Sequence, residues 1–273
     1  PWKYCKVDPE AIKNNPYLRP ETEKPTPDLD TPPNPQPAPR VAKATGFLKL
    51  ENIVCVGADG KKLEEHPTIY VAKDVERKQD GSFVSFTPYQ AISHFEQAGN
   101  DLFLPSYPLS CNILAALYSG RSDPEIKKVL DQYKDYGPGY GWHAQNTIVD
   151  GKGCNIIHYP NDGDFTSHGG NNAVNAKRRI EKPFKKGKNW DNSSLEDALK
   201  DNAKLKFIKD LTGLPNPNVL VEIGQYFGKT AWFWPPSDSV RSAWLGCLNF
   251  NQFYIGTYDS LDYDCAARGV RRP

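Results

Sequence analysis

Proline is distributed so unevenly along this chain that it decides where a fold can form. Eleven of the 24 prolines fall within residues 1–44, including the run TPPNPQPAP, and that segment shows almost no apolar periodicity. Proline fixes φ and removes a backbone donor, so a segment this rich in it reads as an extended arm or linker. Residues 45–273 must therefore supply the core. With 273 residues and 38% apolar side chains, the chain can bury one good core, and one main domain is expected.

Charge and cysteine usage exclude several classes. The net charge is +1 with acidic and basic residues well mixed, so the positive bias of a nucleic-acid-binding protein is missing and no nucleic-acid partner is expected. No run of about 18 apolar residues exists, so no membrane span is expected. The six cysteines (Cys5, Cys55, Cys111, Cys154, Cys247, Cys265) show no CxxC spacing and read as mostly free and buried, not as a disulfide framework or zinc site. The histidines (His66, His94, His143, His158, His168) lack a ligand spacing such as HExxH. Asn161, Asp162 and Asp164 lack the length and terminal Glu of an EF-hand and read as a solvated loop. No metal and no cofactor is expected.

From Gly46 the pattern becomes that of a mixed α+β domain. FLKLENIVCVG and TIYVAKDVE read as strands around a turn at Asp59 and Gly60. Thr87, Pro88 and Gln90 supply an N-cap, a first-turn proline and a capping-box partner for a helix over YQAISHFEQA, stopped by Gly99. A second helix, PLSCNILAALYSG, follows the FLPS turn, and Ser122, Pro124 and Glu125 repeat the capping logic for a short helix through Leu130. GWHAQNTIVDGKGCNIIHYP reads as two strands around Asp150 and Gly151, and residues 161–188 as a long loop whose KRRIEKPFKKGK run is a solvated charge run able to touch an anionic partner. Ser193 and Glu196 cap a helix with Leu195, Leu199, Leu205 and Ile208 on one face, ended by Gly213 and Pro215. A shorter helix near VLVEIGQYF precedes the strands TAWFW and SAWLG.

Chemistry-bearing motifs are few. GQYFGKT resembles a phosphate-binding loop but has three residues where four are needed, two of them the bulky Tyr226 and Phe227, so Gly228 reads instead as a helix stop. Cys111 near a helix start, His143 on a strand and Asp150 beyond follow the order of a cysteine hydrolase, the helix dipole lowering the thiol pKa; Ile113, Leu114 and Leu117 at core spacing favour a buried structural cysteine. The last segment is different. Leu248–Cys265 holds Tyr254, Tyr258, Tyr263, Asp259, Asp262, Asp264, Asn249 and Asn251 with no Lys, Arg, Glu or Trp, the residue mix of an adaptable binding surface.

Four segments carry a resemblance. TPYQAISHFEQAG with FLPSYPLSCNILAALYSG resembles the helix, Leu-Pro-Ser/Thr turn and second helix of the formylglycine-generating-enzyme branch of the C-type lectin fold. GKTAWFW is similar to its Gly-Asn-Val-Trp-Glu-Trp strand, with Trp232 and Trp234 on the tryptophans, and AWLGC and AARGVR to its Arg-Gly-Gly-Ser-Trp and closing Gly-Phe-Arg strands, though AWLGC lacks the double glycine. The match spans Thr87–Arg271 and leaves residues 161–215 as an insertion. Within the branch the chain most resembles the variable proteins of diversity-generating retroelements of viruses and prokaryotes, in which mutated AAY codons give a restricted residue set; across Leu248–Cys265 only Gln252 falls outside that set.

The resemblance implies a C-type lectin fold with a Pro-rich arm, a variable region over residues 244–271 and an unidentified macromolecular ligand, most simply a protein. The ligand-binding, exchangeable positions would be Leu248, Asn249, Phe250, Asn251, Tyr254, Gly256, Thr257, Tyr258, Asp259, Ser260, Asp262, Tyr263, Asp264 and Cys265, pointing outward, while Phe253, Ile255 and Leu261 turn inward. Its oxidase members use a reactive cysteine pair, for which Cys247 and Cys265 are the candidates here. Calcium-dependent sugar binding is not implied, because the Glu-Pro-Asn and Trp-Asn-Asp types of triplet are missing. A virion or surface-assembly role, with the arm as tether, is compatible with binding.

Overall fold

A computed structural model describes residues 40–44, 46–99, 101–134, 142–160, 164, 178–187, 190–249, 251–257 and 265–273. Apolar–polar alternation in FLKLENIVCV forms strand β2 (Phe47–Val56), with Leu48, Leu50, Ile53 and Cys55 wholly buried. Strands β1 (Arg40–Ala44) and β3 (Lys62–Ala72) flank it, both antiparallel. β1 extends the folded unit back to Pro39, past the expected boundary at residue 44, because RVAKA after the last proline of the segment has every N–H a ladder needs. Between Leu50 and Ile53, and between His66 and Ile69, both strands change the face they bury; here Asn52 (φ 59°) lies between the paired residues that bracket Pro67. Strand β3 starts earlier than TIYVAKDVE because Glu64 and His66 point inward to polar partners.

Helix α1 (Pro88–Ala98) has the expected capping box: Thr87 Oγ1 accepts from Gln90 N at 3.3 Å and Gln90 Oε1 accepts from Thr87 N at 2.9 Å. Strand β4 (Leu102–Phe103) leads to α2 (Tyr107–Ser119), capped by Ser106, and α3 (Pro124–Asp131). The α3 cap is Asp123, not Ser122: the Asp123 carboxylate takes the amides of both Glu125 and Ile126. Strands β5 (Trp142–His143), β6 (Thr147–Asp150), β7 (Asn155–His158) and β8 (Ile180–Pro183) follow, then β9 (Ser193–Ser194). The single helix expected after Ser193 is two, α4 (Leu195–Ala198) capped by Ser194 and α5 (Asn202–Thr212) capped by Asp201, whose carboxylate accepts from Ala203 N and Lys204 N and so starts a new helix. Gly213, left-handed at φ 61°, stops α5 as expected. Helix α6 (Asn218–Tyr226), β10 (Thr230–Trp234), β11 (Val240–Ser242), β12 (Trp244–Asn249), β13 (Gln252–Gly256) and β14 (Val270–Arg271) complete the described elements.

Among the described residues the result is an α+β arrangement with three sheets, ordered β1-β2-β3-β14-β4, β5-β12-β13-β10-β9 and β11-β6-β7-β8. All strand pairs named here are antiparallel except β10–β13. β14 returns beside β3 and β4, pairing Val270 with Val71 and Phe103.

A polar network joins the sheets at the start of α2. Glu64, almost fully buried, accepts from His66 Nε2 at 2.9 Å, from the Tyr159 hydroxyl at 2.7 Å and from the Ser106 hydroxyl. Burial pushes the Glu64 carboxyl up, but these three donors outweigh it and hold the group below its ordinary value. Tyr107 N donates to Thr147 Oγ1 (2.9 Å), Thr147 Oγ1 lies 3.0 Å from His158 Nδ1, and His158 Nε2 lies 3.2 Å from the Asp210 carbonyl. That chain satisfies a neutral imidazole protonated on Nε2: the threonine hydroxyl donates to Nδ1 and Nε2–H donates to the carbonyl. A proton on Nδ1 would leave the threonine hydroxyl without its acceptor.

Burial lowers the His158 pKa to about 4. A histidine depressed in the folded state favours folding above its unfolded pKa of about 6.5, and that stabilisation is lost as pH falls from there toward 4, a loss of about 3 kcal/mol by linkage. Urea denaturation from pH 7 to pH 4.5 should show this decline, and His158→Gln should remove its share; an unchanged slope in the variant would refute the assignment.

Candidate ligand-binding surface

Strands β10, β12 and β13 hold the region in which the sequence places the exchangeable residues. Their register aligns Trp232, Tyr254 and Gly246 in one row and Trp234, Gly256 and Trp244 in the next. The alternate residues Ala231, Phe233, Leu245, Cys247, Phe253 and Ile255 are buried in the main core. Strand periodicity thus separates a core face from a tryptophan face. On the latter, Trp244 and Tyr254 pack with Ile92 and Phe95 of α1, Phe86 and Cys265, with Trp232 and Trp234 half-buried at the rim. The Tyr107 hydroxyl closes the strand ends, donating to the Trp244 carbonyl at 2.8 Å and accepting from Gly256 N at 3.3 Å.

Phe253 and Ile255 are inward, as expected, but four residues expected to point outward do not. Tyr254 is 4% exposed, because its face of the sheet is covered by the α1 cluster, and its hydroxyl donates to Gln252 Oε1. Thr257 is wholly buried, its amide donating to the Trp234 carbonyl at 3.3 Å. Cys265 is 1% exposed, bridged to Phe86 by two backbone hydrogen bonds of 2.8 and 2.9 Å, and its thiol also reaches the Phe86 carbonyl at 3.0 Å. Gly256 has φ 149°, and a Cβ there would lie 2.1 Å from the Trp234 carbonyl oxygen, so no side chain fits. Asn251 is exposed at the β12–β13 turn, its carbonyl accepting from Thr230 N at 2.9 Å. Leu248 and Asn249 lie on β12, beside a register shift between Cys247 and Asn249. Phe250, Tyr258, Asp259, Ser260, Leu261, Asp262, Tyr263 and Asp264 lie outside the described residues.

The residues weighed for catalysis are buried. Cys111 is the fifth residue of α2, and burial pushes its thiol well above the ordinary value, overriding any lowering by the helix start. His143 is held well below its ordinary value by burial and then by Arg268, and stacks on Tyr133 at 4.2 Å. No disulfide joins Cys55, Cys111, Cys154, Cys247 and Cys265 among the described residues, and all but Cys154 are buried. Gly228 (φ 69°) follows the C-cap Phe227 and donates to Gln225 O, ending α6 as a helix stop rather than cradling a phosphate. Among the described residues no group of three or more His, Cys, Asp or Glu is placed to hold a metal ion. Sequence reasoning missed the Glu64–His66–Ser106–Tyr159 network, whose members are spread from residue 64 to 159. The one local signal was the Ser of the FLPS turn, standing where a helix cap belongs.

No family model, curated protein or solved structure matches this chain.

Gly256→Ala should cost about 2–4 kcal/mol, through the carbonyl clash and the positive φ. Asn251→Ser on the exposed turn should stay within about 1 kcal/mol. Equilibrium denaturation of both variants decides this: equal losses would mean that the frame and the turn are not distinguished as described.

Proposed function

We propose that this chain is a ligand-binding protein that displays a diversified C-terminal surface on a frame of C-type lectin type, formylglycine-generating-enzyme branch, with the diversity written by a retroelement. The observation that carries the reading is the pair of clamps around Tyr258–Asp264. On one side Thr257 is wholly buried and bonded to Trp234; on the other Cys265 is buried and doubly bonded to Phe86. The seven residues between them, YDSLDYD, include two Tyr and three Asp. Both clamps work through backbone groups, so exchange between them does not remove a donor or acceptor of these hydrogen bonds.

The fold is compatible with this reading: paired capped helices with the Leu-Pro-Ser turn between them, a tryptophan strand, and a closing strand at Val270–Arg271 come in the same chain order as in the resembling branch. Tyr254, Gly256, Thr257 and Cys265 belong to the frame. The exchangeable set is then centred on Asn251 and on Tyr258, Asp259, Ser260, Asp262, Tyr263 and Asp264. Tyrosines there would anchor a protein ligand by aromatic area, and aspartates would favour a partner with a basic patch.

Sequencing the DNA around the gene tests the mechanism. The expected result is a near-copy of the segment encoding residues 244–271, differing almost only where the copy has adenine, beside a reverse-transcriptase gene. A locus with neither removes the retroelement and leaves a lectin-type frame of other use. Combined replacement of Tyr258, Asp259, Asp262, Tyr263 and Asp264 by Ser should shift Tm by no more than about 4 °C. Loss of folding in that variant would show that the stretch is part of the frame.

A further inference from the structure

Arg178 and Arg179 are neighbours in the basic run read from the sequence, yet their side chains differ in what they meet. Arg179 is paired, its guanidinium bonded to Asp164 at 2.9 and 3.1 Å and close to Glu181. Arg178 is exposed and has no carboxylate partner among the described residues. It borders a cleft along β3, whose lining includes His66, Pro67, Thr68 and Arg272. β14 pairs with β3 only at Tyr70 and Val71, so the cleft lies beside the part of β3 that precedes this pairing.

Arg272 is likewise without a carboxylate partner among the described residues, and its guanidinium lies 4.6 Å from the centre of the Phe103 ring. An aromatic face under an arginine restricts where the cation sits without neutralising it. His66, in the same cleft, has its Nε2 engaged by the buried Glu64 and its second ring nitrogen unbonded among the described residues. Among the described residues lining the cleft, which also include Pro273, the one acidic side chain is Glu65, and it is paired with Lys62 at 2.7 Å. Two guanidiniums without a carboxylate partner among the described residues, His66 and Thr68 therefore line one concave site.

We propose that this cleft binds an oxyanion, a phosphate or carboxylate group, held between Arg178 and Arg272. Paired guanidiniums match the geometry of such groups and form charge-assisted hydrogen bonds with them. Because the site uses Arg178, Arg272, His66 and Thr68 and none of the exchangeable positions, it stands or falls independently of the proposed display function.

Thermal unfolding of the full chain, in sodium phosphate and in sodium acetate against sodium chloride at equal ionic strength, tests it. Near saturation the bound anion should raise Tm by about 2–4 °C over chloride. Arg178→Gln/Arg272→Gln should abolish that rise while keeping the Tm in chloride, since both side chains are exposed. Arg77→Gln, which removes a surface arginine paired with Asp74, should keep the rise. A rise with phosphate alone assigns a phosphate group; an equal rise with acetate assigns a carboxylate. No rise with either anion, or a rise that survives in the double variant, overturns the proposal. Should the double variant unfold, Arg178→Lys and Arg272→Lys, which keep the charge but lose the fork, must each weaken the anion response.

Discussion

The first turn of α2 is where the three sheets are tied together, and every other placement follows from it. Ser106 binds Glu64 of the first sheet, Tyr107 N binds Thr147 of the third, and the Tyr107 hydroxyl bridges Trp244 and Gly256 of the second. Helix starts leave amides unpaired, and here one of them, Tyr107 N, supplies a joint between layers while Ser106 caps Leu109 N. Asn112 adds a fourth tie, from α2 to the Gly213 carbonyl at the end of α5. Because the groups are buried, losing one partner strands the other in a medium without water, at about 1–3 kcal/mol each. The turn therefore fixes the sheets relative to one another more strictly than apolar packing would.

Local signals were readable where their physics is local. The α1 capping box, the second helix, the left-handed stop at Gly213 and the β6–β7 hairpin follow from neighbouring residues and stand in the structure as the sequence implied. The errors are of two kinds. An acidic residue one position from a serine took over the cap at Asp123, and Asp201 divided one expected helix into two; competition among caps is decided by which oxygen reaches two amides. Long-range burial was the other. β3 reads as polar over Lys62–His66, and only the arrival of Ser106 and Tyr159 makes Glu64 an interior residue.

The C-terminal segment shows the same limit. Composition marked residues 248–265 as a surface, and composition does not know which face of a strand is covered. Period-two alternation placed Phe253 and Ile255 inward, but the opposite face at Tyr254 is closed as well, by α1 and Phe86, elements more than 150 residues earlier in the chain. Gly256 belonged to the residue set a variable codon can reach, yet its position against the Trp234 carbonyl admits nothing else. For catalysis the outcome is parallel: Cys111 has the sequence context of a nucleophile, while its depth raises the thiol out of the reactive range.

The two clamps at Thr257 and Cys265 govern length as well as identity. Their positions are set by Trp234 and Phe86, so any chain joining them must at least meet the entropy of closing a loop. That entropy grows with the logarithm of chain length, and doubling the seven residues to fourteen would add only about 0.6 kcal/mol. On the closure entropy alone, lengthening the chain between the clamps costs little, so its length is a variable separate from the identity of its residues.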